Sequence, residues 1–147
     1  MAQADEPGRV LAIDDGKARV GLALSDETRV LATPHAVLPG QDRKRLVREI
    51  ASLCERYEVK RVLVGLPLHM SGEAGKSAGR ARELAQAVAD ATGLEVELVD
   101  ERWSTVEAER KRRFAHEGSR RSSVAIDAAA AAVVLQAWLD ARASTAR

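Results

Sequence analysis

The sequence predicts an α/β fold in which helices flank a mixed five-stranded sheet, and its pattern and composition both point to that class. Three short extended segments follow one another near the amino terminus, and helices then alternate with two further strands. Aromatic residues make up only 3% of the chain, whereas hydrophobic residues make up 46%. The core must therefore be built from Ala, Val and Leu, which favours helices laid closely on a sheet.

The first three strands are predicted over residues 9–14, 19–24 and 30–37. Only short turns, at Asp15-Gly16 and Asp26-Glu27, separate them. Links of that length join antiparallel strands, whereas parallel strands need a long crossover. We therefore expect an antiparallel three-strand meander.

Two helices and two strands follow the meander in alternation. Apolar residues at helical spacing predict an amphipathic helix over residues 43–57 and a second helix over 77–92, which ends at Gly93. An unbroken apolar strand is predicted over 61–66 and another strand over 95–99. Because a helix links each of these strands to the preceding one, we expect them to run parallel.

The last third of the chain is predicted to be helical. A capping-box spacing begins a charged helix over residues 104–114, a basic loop follows, and a final apolar helix covers 124–141. With 147 residues in all, the chain has the size of one domain. We expect a single domain over 1–147, with loose ends at 1–8 and 142–147.

Composition also narrows the cellular setting. The chain has 23 basic and 22 acidic residues, so no global field attracts nucleic acid and any basic surface must be local. Its one cysteine, Cys54, lies on an apolar helical face and is predicted to be a buried thiol. The first eight residues lack the apolar stretch of a signal peptide, and the apolar run 128–135 is far shorter than the ~20 residues that cross a membrane. We expect a cytoplasmic protein with no membrane partner.

Carboxylates stand at the ends of two of the predicted strands. Asp14 ends the first strand, and the pair Asp100-Glu101 ends the fifth. Ligands of open α/β sheets bind at the carboxyl ends of the parallel strands, where these acids would converge. Strand alternation allows only one member of the pair to face the site. Because converging carboxylates repel one another, a hard cation such as Mg²⁺ or Mn²⁺ would stabilise them.

A third acid, Asp127, lies near the start of the last predicted helix. It shares a helical line with Ala131, Val134 and Trp138, an apolar face that should pack on the sheet. Asp127 is either a third metal ligand or an acid placed in the first helical turn by the helix macrodipole.

Basic residues near these acids suggest contacts with phosphate. Gly72–Ser77 resembles a phosphate loop before a helix, although Met70 stands where a Walker A motif needs glycine, and Lys76 would lie beside its backbone amides. A basic cluster, whose alternative explanation is a solvated helix face, comprises Arg110, Lys111, Arg112, Arg113, Arg120 and Arg121.

Four ordered blocks carry a family resemblance: 11–26 (LAIDDGKARVGLALSD), 64–68 (VGLPL), 100–109 (DERWSTVEAE) and 126–139 (IDAAA and LQAWL). Together they resemble the YqgF family, also called RuvX, Holliday-junction-resolvase-like proteins to which processing of the 16S rRNA precursor is ascribed. The resemblance runs nearly end to end. It implies an RNase H-like fold and, by relation to RuvC-type resolvases, a divalent-metal nuclease.

Carried onto this chain, the resemblance implies that Asp14, Glu101 and Asp127 are the catalytic acids of a site holding two Mg²⁺ or Mn²⁺ ions, with Asp100 as the alternative second ligand. Arg102 would orient the acids, and it also belongs to the set expected to hold the nucleic-acid backbone, with Arg19, Lys76, Arg110, Arg112, Arg113, Arg120 and Arg121. Asp15 departs from the family pattern, which has an aromatic or small apolar residue there, and is expected to add negative charge beside the site.

The expected function is hydrolysis of phosphodiester bonds in structured RNA, at the 5′ end of the 16S rRNA precursor, by a monomer or weak homodimer. Two alternatives stay open. One is a resolvase or nuclease acting on branched or single-stranded DNA in recombination and repair. The other is a non-catalytic RNA-binding factor in transcription or ribosome assembly.

Overall fold

A mixed five-stranded sheet organises the molecule. The computed structural model describes residues 7–16, 18–66, 72–100 and 123–145. The strands are β1 (Arg9–Asp15), β2 (Arg19–Ser25), β3 (Ala32–Pro39), β4 (Val59–Leu66) and β5 (Glu95–Asp100), and the helices are α1 (Arg43–Arg56), α2 (Gly72–Thr92) and α3 (Ser123–Thr145). The strand order is β3-β2-β1-β4-β5. Pairs β1–β2 and β2–β3 are antiparallel, and β1–β4 and β4–β5 are parallel, so the predicted mixed sheet is confirmed.

The third strand begins two residues later than its pattern predicts. Val30 and Leu31 donate their backbone N–H groups to Oδ1 of Asp26, at 2.9 and 2.8 Å. These bonds hold both residues in the turn after β2, so β3 starts at Ala32. A side chain that competes for backbone donors overrides the apolar pattern here.

Helix α1 matches its prediction to within one residue. It begins at Arg43 because the Oδ1 atom of Asp42 accepts the N–H of Arg45 at 3.1 Å, an N-cap bond. Its buried face consists of Leu46, Ile50 and Cys54. The predicted burial of the cysteine is thus confirmed.

Helix α2 begins at Gly72 and not at residue 77, so the predicted phosphate loop over Gly72–Ser77 is wrong. Glu, Ala and Lys in this stretch are good helix formers, and the helix includes the two glycines of the stretch although each costs roughly 1 kcal/mol relative to alanine. A Cβ atom at Gly75 would have no neighbour within 4 Å, so the glycine is not needed for close packing.

Helix α3 runs to Thr145, four residues beyond its predicted end at residue 141. The Arg142 guanidinium lies 4.5 Å from the centroid of the Trp138 ring, one turn earlier on the helix. This cation–π contact ties the last turn of α3 to the core. The charged helix and basic loop predicted over 104–123 lie almost entirely outside the described residues.

The two faces of the sheet pack against different helices. The face that packs on α1 and α2, called the α1/α2 face below, carries Leu11, Ile13, Val20, Leu22, Val62 and Val64. The opposite face, called the α3 face, carries Val10, Ala12, Ala23, Leu63 and Val99. Successive residues of each strand alternate between these faces. Within the described ranges, no helix combines the length and apolar character needed to cross a membrane.

Candidate active site

Asp14 lies at the carboxyl end of the central strand, on the α3 face. Val10 and Ala12 belong to the core under α3, whereas Leu11 and Ile13 belong to the core under α1 and α2. Alternation therefore places Asp14 on the same side as Ala12. Asp14 is half-buried, so it combines a fixed position with access to solvent.

Gly21 brings the backbone of α3 next to Asp14. It is the residue of β2 that pairs with Asp14 across the sheet. A Cβ atom built on Gly21 would lie 2.2 Å from the carbonyl oxygen of Asp127 and 2.6 Å from its carbonyl carbon. Only glycine permits that approach, because a real Cβ atom would collide with the backbone. The backbone of Asp127 therefore packs directly on Gly21, the strand partner of Asp14.

Asp127 lies in the second turn of α3, since the helix begins at Ser123. The macrodipole explanation needs an acid in the first turn, where that field is felt, and is therefore wrong. The predicted apolar line is confirmed, because Ala131, Val134 and Trp138 are only 1%, 5% and 4% exposed. Asp127 thus stands at the end of this buried line, at the rim of the sheet.

Asp127 forms an ion pair with Arg19. The Nε atom of Arg19 lies 3.3 Å from Oδ2 of Asp127, and both side chains are partly exposed. Arg19 and Gly21 are two residues apart on β2, so they share the α3 face. The structure therefore brings three of the predicted site residues, Asp14, Asp127 and Arg19, to one corner of the sheet.

Asp100 is not brought to that corner. It aligns with Leu66 of β4, which packs against the α1/α2 core as Val96 does. Its neighbour Val99 belongs to the α3 core instead. Asp100 therefore lies on the face opposite Asp14, and β4 separates their strands, placing β5 roughly 10 Å from β1.

The remaining predicted site residues are distributed as follows. Lys76 is exposed on α2, one turn before Arg80, whose Nη2 donates to the carbonyl of Gly16 at 3.3 Å. Lys76 thus lies toward the same end of the sheet as Asp14. The residues outside the described part of the chain are Glu101, Arg102, Arg110, Lys111, Arg112, Arg113, Arg120 and Arg121.

Asp15 forms a buried ion-pair cluster, which corrects the expectation that it adds charge beside the site. It lies on the α1/α2 face, with its side chain only 2% exposed. Its two oxygens accept bonds from Nη1 and Nη2 of Arg43 at 3.1 and 2.7 Å, and Nη2 of Arg80 lies 3.7 Å away. Hydrogen bonding to Asp15 raises the pKa of Arg43 further above its usual range. The charge of Asp15 is thus compensated behind the sheet.

The donor chemistry of the corner fits a hard divalent cation. Asp14 and Asp127 offer carboxylate oxygens on one face, and Mg²⁺ and Mn²⁺ prefer oxygen ligands. Among the residues that the structure describes, no group of three or more His, Cys, Asp or Glu side chains could hold a metal ion. Asp14 and Asp127 are therefore the two carboxylates that the described residues bring to this corner.

Cys54 and the cavity beside it take no part in this corner. The cavity has a volume of about 690 Å³ and is lined by Cys54, Lys60 and Leu94, among others, near the amino-terminal end of β4. Burial raises the pKa of Cys54 to about 11, which keeps the thiol protonated. Asp14 lies at the other end of the sheet.

Sequence reasoning missed two features of the site. Gly21 could have been singled out, because a glycine inside an apolar strand often marks a close backbone approach. The partners of Asp15 could not, because Arg43 and Arg80 lie on separate helices and meet the carboxylate only after folding.

Comparison with known proteins assigns the fold and the family. Residues 8–141 match the model of the RuvX family, described as Holliday junction resolvase. A relative from Anaeromyxobacter sp. (strain Fw109-5) is 46% identical over 91% of this chain and 98% of its own length. A relative from Protochlamydia amoebophila is 35% identical over 97% of this chain and 99% of its own. Both carry the name "Putative pre-16S rRNA nuclease".

Solved structures with the same architecture include RuvC of T. thermophilus in complex with a Holliday junction substrate. It superposes with a TM-score of 0.64 at 18% identity, covering 94% of this chain and 97% of that one. This likeness confirms the RNase H-like fold. With a family model matched over nearly its whole length and relatives of such identity, the chain belongs to the RuvX family.

Proposed function

We propose that the protein is a divalent-metal nuclease that hydrolyses phosphodiester bonds in structured RNA, at the 5′ end of the 16S rRNA precursor. As a RuvX-family member with a RuvC-like fold, it is a phosphodiester-hydrolysing enzyme. The observation that carries the metal site is the juxtaposition of Asp14 and Asp127 across Gly21. The names of its relatives support the RNA substrate. The proposal also places the protein in the cytoplasm.

Asp14, Asp127 and Glu101 are the proposed ligands of two Mg²⁺ or Mn²⁺ ions. The position of Asp100 on the opposite face favours Glu101 as the member of that pair that serves the site. When bound, such ions would activate the attacking water and stabilise negative charge on the leaving oxygen. The chain's own part is to hold the carboxylates in place, which β1 and the packing of α3 on Gly21 achieve.

Basic residues would hold the substrate backbone. Arg19 lies beside Asp127 with its guanidinium partly exposed, so it can reach a phosphate next to the scissile bond. Lys76 is exposed on α2, toward the same end of the sheet. The further proposed phosphate contacts are Arg102, Arg110, Arg112, Arg113, Arg120 and Arg121.

Cleavage of end-labelled precursor rRNA in Mg²⁺, Mn²⁺ or chelator tests the proposal. We expect cleavage that requires metal and that Asp14→Asn abolishes, because the substitution removes a charged ligand without changing side-chain size. Asp90→Asn is the matched control, since Asp90 is exposed on α2 and bonds only to Gln86 among the contacts described. Cleavage that survives in Asp14→Asn would refute this metal site, and binding without cleavage would favour an RNA-binding assembly factor.

A DNA junction resolvase is the second candidate, favoured by the description of the matching family model. The same metal site could cut either nucleic acid, because the metals would contact only phosphate. Resolution of a four-way junction needs two sites in one assembly. A four-way DNA junction run beside the precursor RNA, with the molecular mass from light scattering, separates the candidates. Junction-selective cutting by a stable dimer would replace the RNA proposal, whereas RNA cutting by a monomer or weak dimer would support it.

A further inference from the structure

The end of β1 presents two adjacent carboxylates to opposite sides of the sheet. Asp14 lies on the α3 face with Asp127, and Asp15 lies on the α1/α2 face with its side chain 2% exposed. The two residues share one peptide unit. Contacts that restrain Asp15 therefore also limit the positions that the backbone of Asp14 can take.

The contacts of Asp15 join three segments of the chain, β1, α1 and α2, and its two partners bond to neighbouring carbonyl groups as well. Arg43, the first residue of α1, contacts both carboxylate oxygens of Asp15 and also donates to the carbonyl of Gly40 at 3.1 Å. Arg80 of α2 lies 3.7 Å from Oδ1 of Asp15 and donates to the carbonyl of Gly16. The turn itself is closed by the N–H of Gly16, which donates to the carbonyl of Arg19 at 3.0 Å.

The contact of Arg43 with both oxygens of Asp15 restrains the orientation of the carboxylate as well as its distance from the guanidinium. A planar guanidinium that meets both oxygens of a carboxylate fixes the orientation of that carboxylate, which a single point charge does not. The cluster is also buried on the carboxylate side, so water does not compete for Asp15. Asp15, the residue that follows Asp14, is therefore held by contacts from two helices as well as by the sheet.

We propose that the Asp15–Arg43–Arg80 cluster is a positioning device for Asp14, which it holds from the opposite face of the sheet. Because Asp15 and its two arginines lie on the face opposite Asp14, they would act through the β1 backbone and not by contact with metal or substrate. The inference rests on the proposed function, in which Asp14 binds a divalent cation. It explains how this chain can carry a second carboxylate beside a site acid without placing its charge in the site.

Arg43→Lys and Asp15→Asn test the proposal. Arg43→Lys keeps the positive charge but loses the two-pronged contact, and Asp15→Asn removes the buried charge with little change of shape. Arg45→Lys is the matched control, because Arg45 lies on the same helix and pairs with Glu49 while 67% exposed.

Three measurements on the folded proteins separate positioning from mere stability. We expect both variants to bind Mn²⁺ about 10- to 100-fold more weakly in direct titration, as when support for a metal ligand is lost. We also expect kcat to fall while KM stays unchanged, and hydrogen exchange at the amides of Asp14 and Asp15 to accelerate. Arg45→Lys should match the wild type in all three.

Variants that bind Mn²⁺ and cleave as the wild type does would overturn the proposal, and so would a wild type that binds no Mn²⁺. A wild type that binds Mn²⁺ but cuts neither RNA nor DNA would instead refute the proposed function. In that case the Mn²⁺ titrations of the variants still decide whether the cluster positions Asp14.

Discussion

At the scale of single residues, the candidate site depends on a side chain that is absent. Gly21 lets the backbone of Asp127 approach β2 beside Asp14. Both acids could be singled out from the sequence, because each ends or begins an apolar segment. Their juxtaposition across Gly21 could not be predicted, because it joins parts of the chain that are far apart in sequence.

Gly21→Ala should both destabilise the protein and inactivate it. The new methyl group would collide with the Asp127 carbonyl, so α3 must shift away from the sheet. Overpacking of this kind costs about 1–3 kcal/mol, and a displacement of about 1 Å in a site acid can lower a rate about 100-fold. Urea denaturation and single-turnover cleavage measure the two effects.

Gly79→Ala is the control for that substitution. A Cβ atom at Gly79 would meet nothing within 4 Å, and the residue lies inside α2. We expect unchanged cleavage and a gain of about 0.5–1 kcal/mol in the free energy of unfolding. If Gly21→Ala behaved in the same way, the packing of α3 on β2 would not be what sets the position of Asp127.

At the scale of elements, hydrophobic periodicity predicts interiors better than ends. The pattern of α1 could be predicted almost to the residue, because Asp42 supplies a recognisable N-cap. The start of β3 could not, because Asp26 draws the N–H groups of Val30 and Leu31 into a turn. The end of α3 was also missed, although the contact of Arg142 with Trp138 joins residues only four apart on the same helix.

The turn between β2 and β3 should make stability depend on pH. The N–H of Leu31 and the hydroxyl of Thr28, with further backbone donors, hold the pKa of Asp26 well below its ordinary 3.8. A lowered pKa in the folded state means that the ionised carboxylate stabilises the fold above 3.8, and that this stabilisation is lost as the pH falls toward the lower folded value. The difference in unfolding free energy between the wild type and Asp26→Asn should therefore shrink on acidification.

Denaturation of both proteins at neutral pH and at successively lower pH checks this expectation. Thr28→Val is the graded variant, because it removes the hydroxyl donor and leaves the backbone donors in place. Its loss of stability at neutral pH should be smaller than that of Asp26→Asn. A difference between wild type and Asp26→Asn that stays constant with pH would contradict the assignment.

At the scale of the whole molecule, topology rules and chain order could predict the arrangement of the site strands. Short links require the antiparallel meander, and helical links require β4 and β5 to run parallel with β1, as observed. The side of the sheet that each acid takes was harder to predict. It depends on the register of β5 against β4, which sends Asp100 to the face opposite Asp14.

The balance of charge predicts how substrate binding should respond to salt. A net charge of +1 provides almost no long-range attraction, so RNA affinity must come from local clusters. Replacing both Arg120 and Arg121 by alanine should lower the slope of log affinity against log salt by about 1.4–1.8, if each residue contacts one phosphate. RNA binding is titrated at several salt concentrations, with every variant also carrying Asp14→Asn so that the RNA is not cleaved during the measurement.

Arg45→Ala with Arg48→Ala is the control for the salt experiment. Both residues are exposed on α1, and their removal changes the net charge by the same amount. We expect the salt slope to stay at its wild-type value. An equal reduction in both double variants would mean that overall charge governs binding, and not the basic cluster.

The adjacent acids at the end of β1 have a consequence for the fidelity of folding. If β1 slid by one residue along its partners, every side chain would change face, yet an aspartate would still reach each side of the sheet. The two aspartates by themselves therefore do not favour the correct register of β1 over the shifted one. The sizes of the other side chains distinguish the two alignments. Leu11 and Ile13 fill the core on the α1/α2 face, whereas the small Ala12 lets α3 pack closely on the opposite face. The register of β1, and with it the face that each aspartate takes, is thus specified by apolar side chains that take no part in the proposed reaction.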